Sequence, residues 1–435
     1  MKNHLMPSSG LSGKKVSLKT RIHVEWNTWA SLALVAALLE GSVIGIVIKN
    51  GFQGLVSDGW LNVSVAIATG APFFANLLSF YWVSLSLGRS KARLVSNLAI
   101  LFCISGLFMS VTPFTSLGLV IFLLIYITSR MLWSGILTIR SNIWRANYPR
   151  HIRGKVTAKL ATLAAIIMSV TSIIAGWLLD WQFSYFRILF AIFAILSLWG
   201  AVQYRLLAVR HQQKEIEREN KAEKKVSLKR MINLLKNNKA FAHYMLAMFL
   251  LGMGNLMFMA PLIIYFNEQT ELLQLEQILL TTAIPLALIP IFVAWWARLL
   301  DRSHIFAFRS IHSWVFVVSL SLFATAQIVN FPHLFYLASF IYGFALAGGI
   351  IGWNLGHNDF VKQGNLDSKE NPMDYMAIHV SLTGLRGLIA PVVGVSLYQW
   401  LESLSATSGR YALLLPLCLT MIGALLFVRF NRLHR

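Results

Sequence analysis

The sequence predicts an all-α polytopic membrane protein: twelve transmembrane helices in two six-helix bundles, with both termini cytoplasmic. Three observations predict it. Apolar stretches of spanning length recur twelve times along the 435 residues, and a run of roughly 20 apolar residues is what an α-helix needs to cross a bilayer's hydrocarbon core. Hydrophobic residues make up 57% of the chain and charged ones 13%, against roughly 25% charged in an ordinary soluble domain, so much of the exterior must face lipid. Lysine and arginine fall almost entirely in alternate gaps between the stretches, the positive-inside asymmetry that fixes orientation.

Taken in order, residues 1–27 are polar and basic (Lys2, Lys14, Lys15, Lys19, Arg21) and are read as a cytoplasmic segment. The apolar run that follows is too long for a signal-peptide core, so it is read as a retained first span. Spans at 28–48, 61–87, 94–112, 116–139, 158–179 and 185–207 form an N-terminal bundle, 28–207. Arg89, Lys91 and Arg93 follow span 2, and Arg140, Arg145, Arg150, Arg153, Lys155 and Lys159 separate spans 4 and 5. Residues 208–240 are rich in Glu, Lys, Arg and Gln, then turn amphipathic through Val226, Leu228, Met231, Ile232 and Leu235, as a cytoplasmic linker ending in an interfacial helix would.

Spans at 241–266, 277–300, 306–328, 334–356, 375–397 and 411–428 form a C-terminal bundle, 241–428, and 429–435 is a basic cytoplasmic tail. The opposite gaps hold only Lys49, Arg187 and Arg410. The net charge of +21 is therefore spent on orientation in a membrane, not on a nucleic-acid partner. Cys103 and Cys418 lie far apart in apolar spans, which excludes a disulfide framework and a thiolate metal motif. No phosphate-binding Gly-rich loop and no His-Glu-x-x-His pattern occurs, so neither cofactor nor metal is expected and no enzyme is indicated.

A repeat relates the halves. Span 2 runs into Leu87-Gly88-Arg89-Ser90 and span 8 into Leu300-Asp301-Arg302-Ser303, an offset of 213 residues that also relates span 1 to span 7. In pattern of spans, linker and charge the chain resembles the major facilitator superfamily, whose hallmark loop after span 2 reads Gly-x-x-x-Asp-Arg-x-Gly-Arg-Arg, with an echo after span 8. Ala297, Asp301 and Arg302 align with the echo; Ser84, Gly88, Arg89 and Lys91 align with the first copy, which lacks the acid. The resemblance implies alternating access, a cavity lined by spans 1, 4, 7 and 10, gating roles for Asp301, Arg302 and Arg89, and a monomer. With Arg309 and His312 nearby, Asp301 and Arg302 are read as cytoplasmic gating contacts, Asp301 awaiting a partner charge.

An ionisable group at a helix centre costs at least about 2.5–3.5 kcal/mol in hydrocarbon, so one that persists has a partner or a hydrated path. Glu40 in span 1 and Arg130 in span 4 lie roughly 18 and 14 Å from the cytoplasmic edge at 1.5 Å per residue. Both depths suit a proton-exchanging or solute-binding carboxylate beside an arginine, or else a permanent helix-clamping pair. Arg130 also resembles the arginine of the family's span 4. Arg386 in span 11, at about 16 Å by the same rise, either holds an anionic group or is satisfied by span carbonyls. His379 either titrates near neutral pH or sits at the headgroups.

Asn255 in span 7 and Tyr342 in span 10 are cavity candidates, with interhelical hydrogen bonding as the competing role. Trp133 and Trp353 are expected in an aromatic belt. Pro261, Pro285, Pro290 and Pro391 are expected to interrupt spans 7, 8 and 11. The expected function is secondary transport of a small polar solute, proton-coupled, in the bacterial cytoplasmic membrane. Efflux of amphipathic compounds and a non-transporting sensor on the same fold are the alternatives.

Overall fold

A computed structural model describes residues 17–221, 228–360, 372–405 and 407–434. Lys2, Lys14, Lys15, Val226 and the last residue of the basic tail, Arg435, lie outside the described residues. Twelve helices are long and apolar enough to cross a membrane, and the described residues contain no strand.

The N-terminal bundle comprises α1 (Leu18–Leu38), α2 (Gly41–Gly51), α3 (Asp58–Phe74), α4 (Ser79–Ser86), α5 (Lys91–Val111), α6 (Ser116–Asn147), α7 (Arg150–Trp181) and α8 (Tyr185–Gln203). The linker holds α9 (Gln212–Lys221) and α10 (Leu228–Asn237). The C-terminal bundle comprises α11 (Lys239–Met257), α12 (Met259–Gln269), α13 (Gln274–Ile278), α14 (Ile284–Asp301), α15 (Ile305–Val329), α16 (Pro332–Leu355), α17 (Pro372–Leu404) and α18 (Leu414–Leu433). Within the bundles, α1 packs on α7 and α8, α5 on α6 and α8, α11 on α17 and α18, and α15 on α16 and α18.

Between the bundles α3 packs on α17, α7 on α13 and α14, and α2 on α12. Spans 2 and 11 thus meet as spans 8 and 5 do, the pairing a six-span repeat requires. Several helices run past their expected ends. The first span begins at Leu18 and the fourth runs to Asn147, because charged residues that interrupt an apolar window are paired inside the bundle.

Glu25 and Arg140 show this correction. Glu25, read above within the cytoplasmic segment, and Arg140, read as a loop charge, are buried in helices α1 and α6. Arg140 Nε lies 3.1 Å from Glu25 Oε2, and the Tyr204 hydroxyl donates to Glu25 Oε1 at 3.1 Å. The Arg140 guanidinium stacks over Trp29 and Trp144, 3.3 and 4.1 Å from the ring centroids. Trp133 is corrected too: it packs within the bundle, between Trp29 and Phe102, rather than serving as an aromatic belt. Its rings stack because three helices converge there.

Candidate functional site

Span 1 is not one helix. It breaks at Leu39 and Glu40, and Glu40 takes an extended conformation (φ −69°, ψ 141°) as the first residue before α2. No proline causes this. Gly41 lies so close to α3 that a Cβ there would sit 2.8 Å from the Ala68 carbonyl oxygen, and the chain turns to make that approach. A break inside a membrane span frees carbonyls that must find donors. The Arg130 guanidinium supplies one, its Nη1 donating to the Leu39 carbonyl at 3.2 Å.

The same Nη1 lies 3.9 Å from Glu40 Oε2. The two charges placed by depth are thus brought together, with Arg130 buried and the Glu40 side chain 31% exposed. Tyr342 on α16 lies within electrostatic reach of Glu40, and its ring packs edge-on against Phe258 at 5.2 Å. Phe258 marks the break of span 7 between α11 and α12, so the first span of each half is interrupted. Asn255 stands one turn earlier, its Oδ1 buried without a hydrogen-bond partner.

Arg386 and His379 are not beside Glu40; they belong to a second group within the C-terminal bundle. The Arg386 guanidinium donates to the Met248 carbonyl on α11 and, at 2.7 Å, to Thr383 Oγ1. Thr383 also accepts from Trp353 Nε1 at 3.3 Å, so Trp353 is corrected from a belt residue to an interhelical contact. His379 packs in the same group. It is buried, 6.4 Å from Tyr244 and 5.2 Å from Trp353 between ring centroids, because α17 carries it into the bundle.

Arg309 and His312 are likewise buried on α15. His312 Nε2 lies 2.8 Å from the Ala345 carbonyl, and its Nδ1 3.2 Å from Arg309 Nη1. Asp301, Arg302 and Arg89 are exposed and make no ion pair among the described residues in this conformation. The expected partner charge of Asp301 is not met here.

Contacts that join the bundles were not legible in sequence, and they cluster in the half of the molecule away from the chain ends. Lys49 on α2 bonds Glu268 on α12 at 2.5 Å and Asn62 on α3 at 2.7 Å. Within the C-terminal bundle, Tyr398 supports Glu268 by donating to its Oε2 at 3.0 Å. Asn267 donates to Asn50 at 2.9 Å, and Ser42 bonds Thr282. Asp180, ending α7, accepts from the backbone N–H groups of Gln274 and Leu275 at 2.6 and 2.9 Å, capping α13 of the other bundle. On the side bearing the chain ends no hydrogen bond or ion pair links the bundles directly among the described residues.

There the linker substitutes. Gly88, where the family pattern has its acid, sits at φ +69° and donates its N–H to Glu219 Oε2 of α9 at 3.0 Å. Glu219 Oε1 lies 2.8 Å from Lys91 Nζ, and Glu215 adds a contact at 3.7 Å. A carboxylate missing from the loop is thus provided from 131 residues away.

Residues 29–366 match the Major Facilitator Superfamily, and the chain belongs to that family. Solved structures share its fold. A D-xylose-proton symporter is 14% identical with a TM-score of 0.72, over 95% of this chain and 98% of that one. The nucleoside transporter NupG is 15% identical with a TM-score of 0.67, over 96% and 99%. The xylose transporter XylE from E. coli, partially occluded and inward open, is 15% identical with a TM-score of 0.67, over 95% and 97%. No curated protein sequence matches the chain.

Proposed function

We propose that this protein is a secondary active transporter that moves a small polar solute across the cytoplasmic membrane by alternating access, with protons as the coupling ion. The observation that carries the reading is the partly exposed Glu40 carboxylate at the break of span 1, 3.9 Å from Arg130. Such a carboxylate has two states. Ionised, it holds Arg130; protonated, or engaged by a cationic group of the solute, it releases the guanidinium to other partners. Exchange between those states at mid-membrane is what coupling requires.

With the basic loops on the cytoplasmic side, the distal contacts close the external face and the conformation is the inward-facing one. The moving units are then the bundles 28–207 and 241–428, tethered by the linker 208–240, and one chain suffices for the cycle. Opening outward would break the Lys49 to Glu268 bond and the Asp180 cap, and close the cytoplasmic face through Arg89, Asp301 and Arg302. Asn255 and Tyr342, on spans facing Glu40 from the other bundle, would contact solute.

Uptake into proteoliposomes with a panel of sugars, nucleosides, amino acids and carboxylates, with and without an imposed pH gradient, tests this. Gradient-driven accumulation of one solute class is expected, and Glu40→Gln should abolish accumulation while sparing solute exchange. Normal accumulation by that variant overturns the coupling role; specific binding with no flux for any solute overturns transport.

A further inference from the structure

Two guanidiniums lie buried in the C-terminal bundle with no ion partner among the described residues. Arg309 is 2% exposed and Arg386 4%. Tyr244 lies within electrostatic reach of both charges, its hydroxyl donating to the Gly352 carbonyl at 3.4 Å. His379, one helical face with Arg386 on α17, packs its ring against Tyr244. The nearby acid, Asp359, is exposed and committed to capping α15, its Oδ2 accepting from the Ile305 N–H at 2.7 Å.

In the other bundle the two most deeply buried arginines each have a carboxylate, Arg140 with Glu25 and Arg130 with Glu40, whereas Arg21 there has no ion pair among the described residues. A buried charge is retained when it is paired or when a ligand pairs it. Arg309 Nε and Arg386 Nε are buried N–H donors without a hydrogen-bond partner, and His379 Nε2 is likewise unpartnered beside them. The guanidinium of Arg386 lies just beneath Gly252, where a Cβ would meet its Nη1 at 1.9 Å. Gly252 and Trp353 are themselves partly exposed.

We infer that Arg309, Arg386, Tyr244 and His379 form a subsite for an oxyanion group, carboxylate or phosphate, carried by the solute. Each guanidinium keeps a fixed positive charge and a directional Nε–H donor free, which suits an oxyanion over a neutral polar group. The inference deepens the transport reading and rests on it: the solute is an acid, its anionic end held by the C-terminal bundle and any cationic end by Glu40.

Thermal unfolding of the purified full-length protein in detergent, followed by tryptophan fluorescence, reads binding without flux. The probes are sodium succinate, inorganic phosphate and sulfate against sodium chloride at matched ionic strength, with phosphatidylglycerol as a separate arm. A saturable rise in unfolding temperature with succinate or phosphate is expected. Arg386→Gln and Gly252→Ala should each weaken the apparent affinity about tenfold or more, and Arg386→Lys, which keeps the charge but loses the fork, should weaken it less.

A flat wild-type response overturns the subsite, whatever the variants do. So does a shift that survives unchanged in both Arg386→Gln and Arg386→Lys, or one produced by phosphatidylglycerol alone. Binding with no flux in vesicles leaves the subsite standing and overturns transport. Flux of a neutral solute, indifferent to Arg386→Gln, does the reverse.

Discussion

Lys49 and Glu268 face one another from the first spans of the two halves, 2.5 Å apart, with the lysine almost wholly buried. Asn62 and Tyr398 complete the set, so each bundle contributes two of the four groups. Glu268→Gln leaves a buried ammonium facing a neutral amide and should cost the closed distal end about 1–3 kcal/mol. Asn50 and Asn267 touch beside it. In an Asn50→Cys/Asn267→Cys background a short bifunctional thiosulfonate should cross-link readily, and adding Glu268→Gln should slow cross-linking several-fold. Equal rates would show that the pair does not hold this end shut.

Glu219 makes a different kind of closure. Its carboxylate caps the Gly88 N–H and binds Lys91, so Glu219→Gln should release α9 from the loop after span 2. Gly88→Asp, which restores the family's acid, should not repair it. A Cβ at Gly88 would lie 2.1 Å from Asn220 Oδ1, and at φ +69° a side chain adds strain of about 1 kcal/mol. Both variants should therefore be cut faster than wild type by protease within the linker, and the double variant no slower than either. A protected double variant would mean that the loop acid and Glu219 are interchangeable.

What could be read in the sequence follows from range. Spans and their number depend on local apolar length, and orientation on local charge, so both were visible. Glu40 and Arg130 stood out as charges inside apolar runs. Glu25, Arg140 and Arg309 did not, because each lies where an apolar window fades, and a charge there looks like a loop residue. Glu25 and Arg140 are 115 residues apart; only their packing shows that both are buried. The break at Glu40 was hidden for a related reason: it depends on how closely Gly41 approaches Ala68, whereas the prolines that were expected to interrupt spans include Pro290 and Pro391, through which α14 and α17 run on as helix. Lys49 was counted as a stray external charge, when its partner lies 219 residues away.

Burial of Glu25 and Arg140 is nearly complete, at 0% and 1% side-chain exposure. Removing one partner of such a pair costs about 3–5 kcal/mol, because the other charge stays buried, whereas replacing both with apolar groups is often tolerated. Glu25→Gln should lower the unfolding temperature in detergent by several degrees, and Glu25→Leu/Arg140→Met should recover most of that loss. Trp29 and Trp144, which sandwich the guanidinium, would pack on the methionine instead. A double variant less stable than Glu25→Gln would show that the pair is itself a net stabiliser.

His357, in the turn Gly356–Phe360 just past α16, gives the fold a pH dependence. Burial pushes its imidazole below the usual histidine value, and the Asp359 carboxylate only partly offsets this. Above about pH 6.5 the ring is neutral in both folded and unfolded chains, so it contributes no pH dependence there. As pH falls through that value the unfolded chain takes up the proton first, and stability is lost. The unfolding midpoint should therefore drop between pH 7.5 and 5.5, and His357→Gln, which cannot be protonated, should make that drop smaller. An equal or steeper drop in the variant would assign the acid sensitivity to other groups and show that the His357 ring is free to charge in place.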